Sequence, residues 1–183
     1  MKKYIDLDFA KLDIERQKRR GFSEAVFCEC KTNEQLTKIF TEFKNQGQNV
    51  IGTRASLEQA NALKAALPEI SYNEQARVVT LIQNKIDKVG EIAICTGGTG
   101  DIPVAEEAAA VAEFYGSSVK KYYDIGVAGI HRLFDNLDNI KKANVIIAVA
   151  GMEGALGGIL TGLADIPVIA VPTSVGYGAS LNG

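Results

Sequence analysis

The chain has 183 residues, 46% hydrophobic and 23% charged, with four prolines and a net charge of −2; it is long enough to bury about 70% of its unfolded surface, which excludes a disordered, collagen-like or linker segment. The near-neutral charge leaves no footprint for nucleic acid or for an anionic membrane. The longest apolar stretches, Val145 to Gly151 and Ile166 to Pro172, are too short to span a bilayer, and carboxylates at Asp6 and Asp8 stand where a signal peptide is apolar, so the expectation is a soluble, cytoplasmic protein.

Residues 1 to 90 hold fifteen Lys/Arg, twelve Asp/Glu and four glycines, whereas 91 to 183 hold five, ten and fourteen. That shift predicts two domains, 1–88 and 89–183. In the first, Asp6 or Asp8 is expected to cap a helix with a basic last turn, Arg16 to Arg20, stopped by Gly21. Ala25 to Phe27 reads as a strand, and Asn33 as the cap of a helix with Leu36, Ile39, Phe40 and Phe43 on one face, stopped by Gly47. Val50-Ile51 is a strand, Leu57 to Leu67 a helix ended by Pro68, and 77–82 a further strand, with 84–90 as connector. Cys28 and Cys30 form a lone C-x-C. With Cys95 they make an odd count, which argues against a disulfide framework and for packed thiols rather than a metal site.

The second half alternates regularly. Glu91 to Cys95 is a strand, the glycine loop 97–100 follows, and Pro103 sits in the first turn of an alanine-rich helix running to Gly116. A strand over Ser118 to Tyr123 leads through Asp124 into another helix; Val145 to Ala150 is a continuous apolar strand before a small-residue helix to Leu163; Val168 to Val171 is a last strand. Continuous apolar strands between helices predict a parallel sheet covered on both faces. Ligands then bind outside the carboxyl ends of the strands, in the loops 96–101, 124–131, 151–154 and 172–178.

Those loops carry the candidate residues. Gly98-x-Gly100 followed by a helix superficially fits a dinucleotide-binding fingerprint, but Pro103 replaces the small residue that lets helix and strand pack, and Asp101 sets a carboxylate where a pyrophosphate would sit. Asp101 reads as a helix cap, and it can also accept from ribose hydroxyls or help hold a cationic ring. His131, the single histidine, is a packed residue or a catalyst, and Arg132 a surface charge or a fork for phosphate or carboxylate. Glu153 follows the most apolar strand among glycines. It reads either as a partly desolvated carboxylate suited to proton transfer or as a helix N-terminal glutamate held by the dipole.

Gly98-Thr-Gly-Asp-Ile-Pro-Val-Ala-Glu-Glu-Ala, Asp124-Ile-Gly-Val-Ala-Gly-Ile-His-Arg-Leu, Val149-Ala-Gly-Met-Glu-Gly-Ala-Leu and Pro167-Val-Ile-Ala-Val-Pro-Thr-Ser-Val-Gly-Tyr-Gly resemble the LarB family, and Arg16, Arg19, Gly21, Glu24 and Lys31-Thr32 are similar to that family's N-terminal region. Gly100, Ser23 and Gly157-Gly158 depart from it, standing where the family has serine, proline and Pro-Ser. The resemblance implies a small N-terminal α/β domain followed by a PurE-like, flavodoxin-like, three-layer parallel sheet domain. It further implies a carboxylase that adds CO2 to the pyridinium C5 of nicotinic acid adenine dinucleotide and cleaves the phosphoanhydride to release AMP, a step towards the nickel-pincer nucleotide cofactor.

On that resemblance Glu153, Asp124 and His131 are the expected catalytic residues. Thr99, Gly100, Asp101, Gly126, Val127, Arg132, Gly151, Met152, Gly154, Thr173 and Ser174 are the expected substrate contacts. No resident cofactor or structural metal is expected, with Mg2+ a candidate aid to anhydride cleavage, and the PurE likeness implies a homo-octamer. The family's nucleophile is a cysteine of its C-terminal segment, and none of Cys28, Cys30 and Cys95 matches it. The chain ends at Ser180-Leu-Asn-Gly, in a loop after a strand, so the expectation is a truncated sheet domain that binds the dinucleotide weakly or not at all and does not turn it over. Alternatives of other kinds are a PurE-type aminoimidazole ribonucleotide carboxylase and a non-enzymatic regulator resembling the circadian phase modifiers.

Overall fold

A computed structural model describes residues 4–176, and the chain divides into two units, Met1–Ile86 and Asp87–Gly183. The first unit opens on a hairpin of β1 (Ile5–Asp6) and β2 (Lys11–Leu12). The expected helix capped by Asp6 or Asp8 is absent from this stretch. The Asp6 carboxylate accepts the Asp8 N–H at 3.0 Å, Asp8 is left-handed (φ 67°), and Leu7 N–H reaches Ala10 O at 2.9 Å, so the group expected to cap a helix closes a turn. Helix remains only as α1 (Arg16–Arg20), ended as expected at left-handed Gly21 (φ 83°). Asp13 receives two guanidinium bonds from Arg19, at 3.0 and 2.6 Å, and donates its own N–H to Glu24 at 3.1 Å.

The rest of the unit is β3 (Ala25–Phe27), α2 (Asn33–Asn45), β4 (Val50–Thr53), α3 (Leu57–Ala66), β5 (Ser71–Asn73) and β6 (Val78–Leu81). The sheet order is β3-β4-β6-β5, with β3–β4 parallel and the other pairs antiparallel. Thr32, not Asn33, caps α2, in a reciprocal box with Gln35; Ser56 and Gln59 repeat the device at α3. Leu36, Ile39, Phe40 and Phe43 fill the core from α2 against Val50, Val79 and Leu81. Strand β5 is three residues long, too short to show alternation in the sequence.

The second unit runs β7 (Glu91–Thr96), α4 (Ile102–Phe114), β8 (Ser118–Tyr122), α5 (Ile130–Ile140), β9 (Val145–Ala150), α6 (Ala155–Leu163) and β10 (Val168–Pro172). Its sheet is wholly parallel in the order β10-β9-β7-β8. Alternate residues of each strand serve opposite faces. Ile94 and Val149 pack with Ala105 and Ala109 of α4, whereas Ala93, Cys95, Ile146 and Ala148 pack with Leu133 and Ile140 of α5 and Leu156 and Leu160 of α6. The result is the expected three-layer, flavodoxin-like arrangement. The strand order reverses between β7 and β9, which opens a crevice at their carboxyl ends. Among the described residues no helix is long and apolar enough to cross a membrane.

Candidate active site

A cavity of about 180 Å³ lies in that crevice, lined by loops after all four strands: Gly97, Gly98, Gly100 and Asp101 after β7; Gly126, Val127, Ala128 and Arg132 after β8; Ala150, Gly151, Met152, Ala155 and Leu156 after β9; and Val175 and Gly176 after β10. The expected contacts Gly100, Asp101, Gly126, Val127, Arg132, Gly151 and Met152 all stand in this lining. Thr99, Gly154, Thr173 and Ser174 lie outside it, Thr99 and Ser174 exposed and the other two half-buried. Part of the expected loop 172–178 and the terminal Ser180 to Gly183 lie outside the described residues.

Backbone contact sets the shape of this cavity. A Cβ on Gly126 would stand 2.2 Å from Gly97 O, and one on Gly151 would stand 1.9 Å from Val175 O. No side chain fits at either place, so the loops after β7 and β8, and those after β9 and β10, lie against each other through bare backbone. Asp101, 4% exposed, ties the ends together: its Oδ2 accepts Gly98 N–H at 2.9 Å and its Oδ1 accepts the Thr173 hydroxyl at 2.6 Å. Thr173 therefore acts on the cavity through Asp101.

Asp124 leaves β8 in the left-handed region (φ 57°) and donates its N–H to Thr96 Oγ1 at 3.0 Å. Its carboxylate pairs with the Arg132 guanidinium, which also reaches Gly129 O at 3.4 Å. Arg132 is thus aimed into the cavity by Asp124 rather than left free on the surface. His131, one residue earlier on α5, is exposed and absent from the lining. Of the expected grouping of Asp101, Asp124 and His131, Asp101 stands in the lining, Asp124 pairs with the lining residue Arg132, and His131 is exposed outside the lining.

Glu153 differs from its expected setting. Met152, Glu153 and Gly154 are consecutively left-handed, with φ of 48°, 58° and 70°. This tight turn leaves Glu153 exposed beside the lining residue Met152, so the glycines that flank it in sequence do not desolvate it. Thr96, fully buried and outside the lining, holds Asp124 through its hydroxyl, a role the sequence did not single out; its signal is a lone hydroxyl ending the apolar run Ile92 to Cys95.

Cys28 and Cys95 are buried thiols, pushed up to about 11 and about 12 by desolvation, whereas Cys30 is exposed, contrary to its expected packing, because it turns out of the strand end at φ 65°. None of the three lines the cavity. Among the described residues no group of three or more His, Cys, Asp or Glu stands together as a metal site.

Residues 4–84 match the family model described as LarB/PurE-like N-terminal domain, and residues 91–182 match AIR carboxylase. A Methanocaldococcus jannaschii protein known only as uncharacterized is 39% identical over 184 residues, covering 94% of this chain and 71% of that protein. The N5-carboxyaminoimidazole ribonucleotide mutases of the same organism and of Thermotoga maritima are 34% identical over 95 residues and 30% over 98, each match covering 50% of this chain. The matches cover 55% and 53% of those mutases, so the chain spans about half their length. Its two units, in this order, place the chain in the LarB family, with a second domain of the AIR carboxylase, or PurE, class.

Proposed function

We propose that this chain belongs to an enzyme that carboxylates the pyridinium ring of nicotinic acid adenine dinucleotide with CO2 and cleaves the phosphoanhydride to release AMP, a step in nickel-pincer nucleotide synthesis. The observation that carries this reading is the LarB/PurE-like N-terminal domain placed ahead of an AIR carboxylase domain on one chain. The cavity supports it in kind. Its volume, about 180 Å³, is below the ~300–1,000 Å³ of a drug-sized ligand cleft, so the described walls suit one ring, with the rest of the dinucleotide lying along the strand edge.

The chemistry assigns the parts. A pyridinium ring is too electron-poor to attack CO2, so a thiolate first adds to the ring and makes C5 enamine-like. C5 then bonds to CO2, a base removes the C5 proton, and the thiolate leaves as aromaticity returns. Water separately splits the anhydride into AMP and the carboxylated mononucleotide. By resemblance the thiolate comes from the family's C-terminal segment; Cys28 and Cys95 are buried and, like Cys30, stand outside the cavity lining. Arg132, held by Asp124, is the cation offered to a phosphate, and Glu153, next in sequence to the lining residue Met152, is the carboxylate assigned to proton removal. Mg2+ is a candidate aid to the hydrolytic step, and assembly as a homo-octamer in the cytoplasm belongs to the same reading.

A second reading, N5-carboxyaminoimidazole ribonucleotide mutase or carboxylase chemistry, is favoured by the 30–34% identity to the two mutases. Isothermal titration of the protein translated from its full reading frame separates the readings. The proposal expects heat with nicotinic acid adenine dinucleotide and none with aminoimidazole ribonucleotide. The reverse pattern replaces it with the second reading, and silence with both favours a regulatory role.

A further inference from the structure

Away from the cavity lining, Glu106 of α4 is a glutamate only 8% exposed, on the same helix as the buried Ala105 and Ala109. Lys121 Nζ donates to its Oε2 at 2.7 Å, and Tyr123 Oη donates to its Oε1 at 2.7 Å. Lys121 and Tyr123 stand two apart, so both project from the same face of β8, and one carboxylate gathers them.

The ladder between β7 and β8 runs from Glu91–Ser118 to Cys95–Tyr122. Tyr123 lies one residue past it, and the next residue, Asp124, turns left-handed at φ 57°. A non-glycine residue persists in that region when its surroundings over-determine it. On one side Asp124 is fixed by its N–H bond to Thr96 Oγ1 at 3.0 Å. On the other, the fixed point is the Tyr123 hydroxyl on Glu106. With the Lys121 side chain 35% exposed, the ion pair itself adds little net stability. A carboxylate adds geometry instead.

We propose that Glu106 is a positioning residue of the active-site cavity: from α4 it anchors the end of β8 through Lys121 and Tyr123, and so fixes Asp124 and, through it, Arg132. The inference concerns the shape of the cavity whatever its ligand; its binding arm alone rests on the function proposed above.

The test compares wild type with Glu106→Gln, and with Tyr123→Phe, which removes one hydroxyl and keeps the packing should the first variant fold poorly. In the 183-residue chain, NMR follows hydrogen exchange of the Asp124 amide and the Arg132 Nε–H resonance, with the amides of residues 25–81 as reference. Losing one buried hydrogen-bond partner is expected to speed Asp124 exchange about tenfold and to shift the Arg132 signal, leaving the reference amides unchanged. In the full-reading-frame protein, the AMP dissociation constant should rise about tenfold in both variants. A purely structural role would lower the melting temperature while Asp124 exchange and the Arg132 signal stayed at their wild-type values, and that result overturns the proposal. If wild type binds no AMP, the function reading fails and the exchange measurement still decides the role of Glu106.

Discussion

Gly126→Ala isolates the claim that the cavity is shaped by backbone in contact with backbone. Gly126 has φ −65° and ψ 164°, extended values open to any residue, so alanine brings no conformational strain. Its methyl would sit 2.2 Å from Gly97 O, 3.0 Å from Gly97 C and 3.2 Å from Gly97 Cα. Neither loop has a flexible side-chain end to give way, so the loops after β7 and β8 must part by about 1 Å to reach ordinary contact. Overpacking of this kind costs about 1–3 kcal/mol, and the reduced freedom of the unfolded chain returns about 0.4–1 kcal/mol. Taking the middle of each range, the net loss is about 1.3 kcal/mol, which lowers the melting temperature of a unit this size by about 5–10 °C. Gly158→Ala is the control, because its Cβ would meet nothing within 4 Å on α6, and a helical alanine there should stabilise by about 0.5–1 kcal/mol. Scanning calorimetry of both variants measures the difference. If Gly126→Ala melts with wild type or above it, the loops are not in contact and the cavity described here is wrong.

Other outcomes follow from the same geometry. On the proposed function, Glu153→Gln in the protein translated from its full reading frame should slow turnover by about 10²-fold, as expected for a proton-transfer group; a rate within about twofold of wild type returns it to a helix-terminal role. Burial alone would raise the Glu106 pKa, but the bonds from Lys121 and Tyr123 outweigh it and hold the carboxyl below its usual range. A depressed folded-state pKa makes its contribution complete above the unfolded value of about 4.3 and loses it as pH falls through the folded value. The stability gap between wild type and Glu106→Gln, measured in urea, should therefore shrink at acid pH; a gap that stays constant from neutral to acid pH contradicts the assignment. Cys30 should react quickly with a disulfide reagent at pH 8 while Cys28 and Cys95, raised to about 11 and about 12 and buried, react at the rate of unfolding. Three fast thiols would refute that placement. Thr32→Ala should destabilise the first unit by about 1 kcal/mol through loss of the box with Gln35, and an unchanged denaturant midpoint would show that the box adds nothing.

The second unit was the more legible in the sequence, because apolar runs such as Val145 to Ala150 and punctuation by Gly and Pro mark each of its strands within a residue. The opening hairpin was not, since two-residue strands have no period and Asp6 carries the same signal for a helix cap as for a turn. At the site, the glycine loops and Asp101 announced themselves by spacing after strands. The setting of Glu153 did not, because three successive left-handed residues turn it outward and sequence neighbours say nothing about that. Glu106 was equally hidden. Within Val104 to Ala110 it resembles any solvated helical glutamate, and its burial depends on Lys121 and Tyr123, more than a dozen residues away.

Turnover decides whether the proposed carboxylation takes place. The protein translated from its full reading frame is incubated with nicotinic acid adenine dinucleotide, bicarbonate and Mg2+, and the products are read by mass spectrometry. The account predicts AMP together with a carboxylated pyridinium mononucleotide, both diminished by Gly126→Ala. An unchanged dinucleotide, with N5-carboxyaminoimidazole ribonucleotide converted instead by the same preparation, would contradict it.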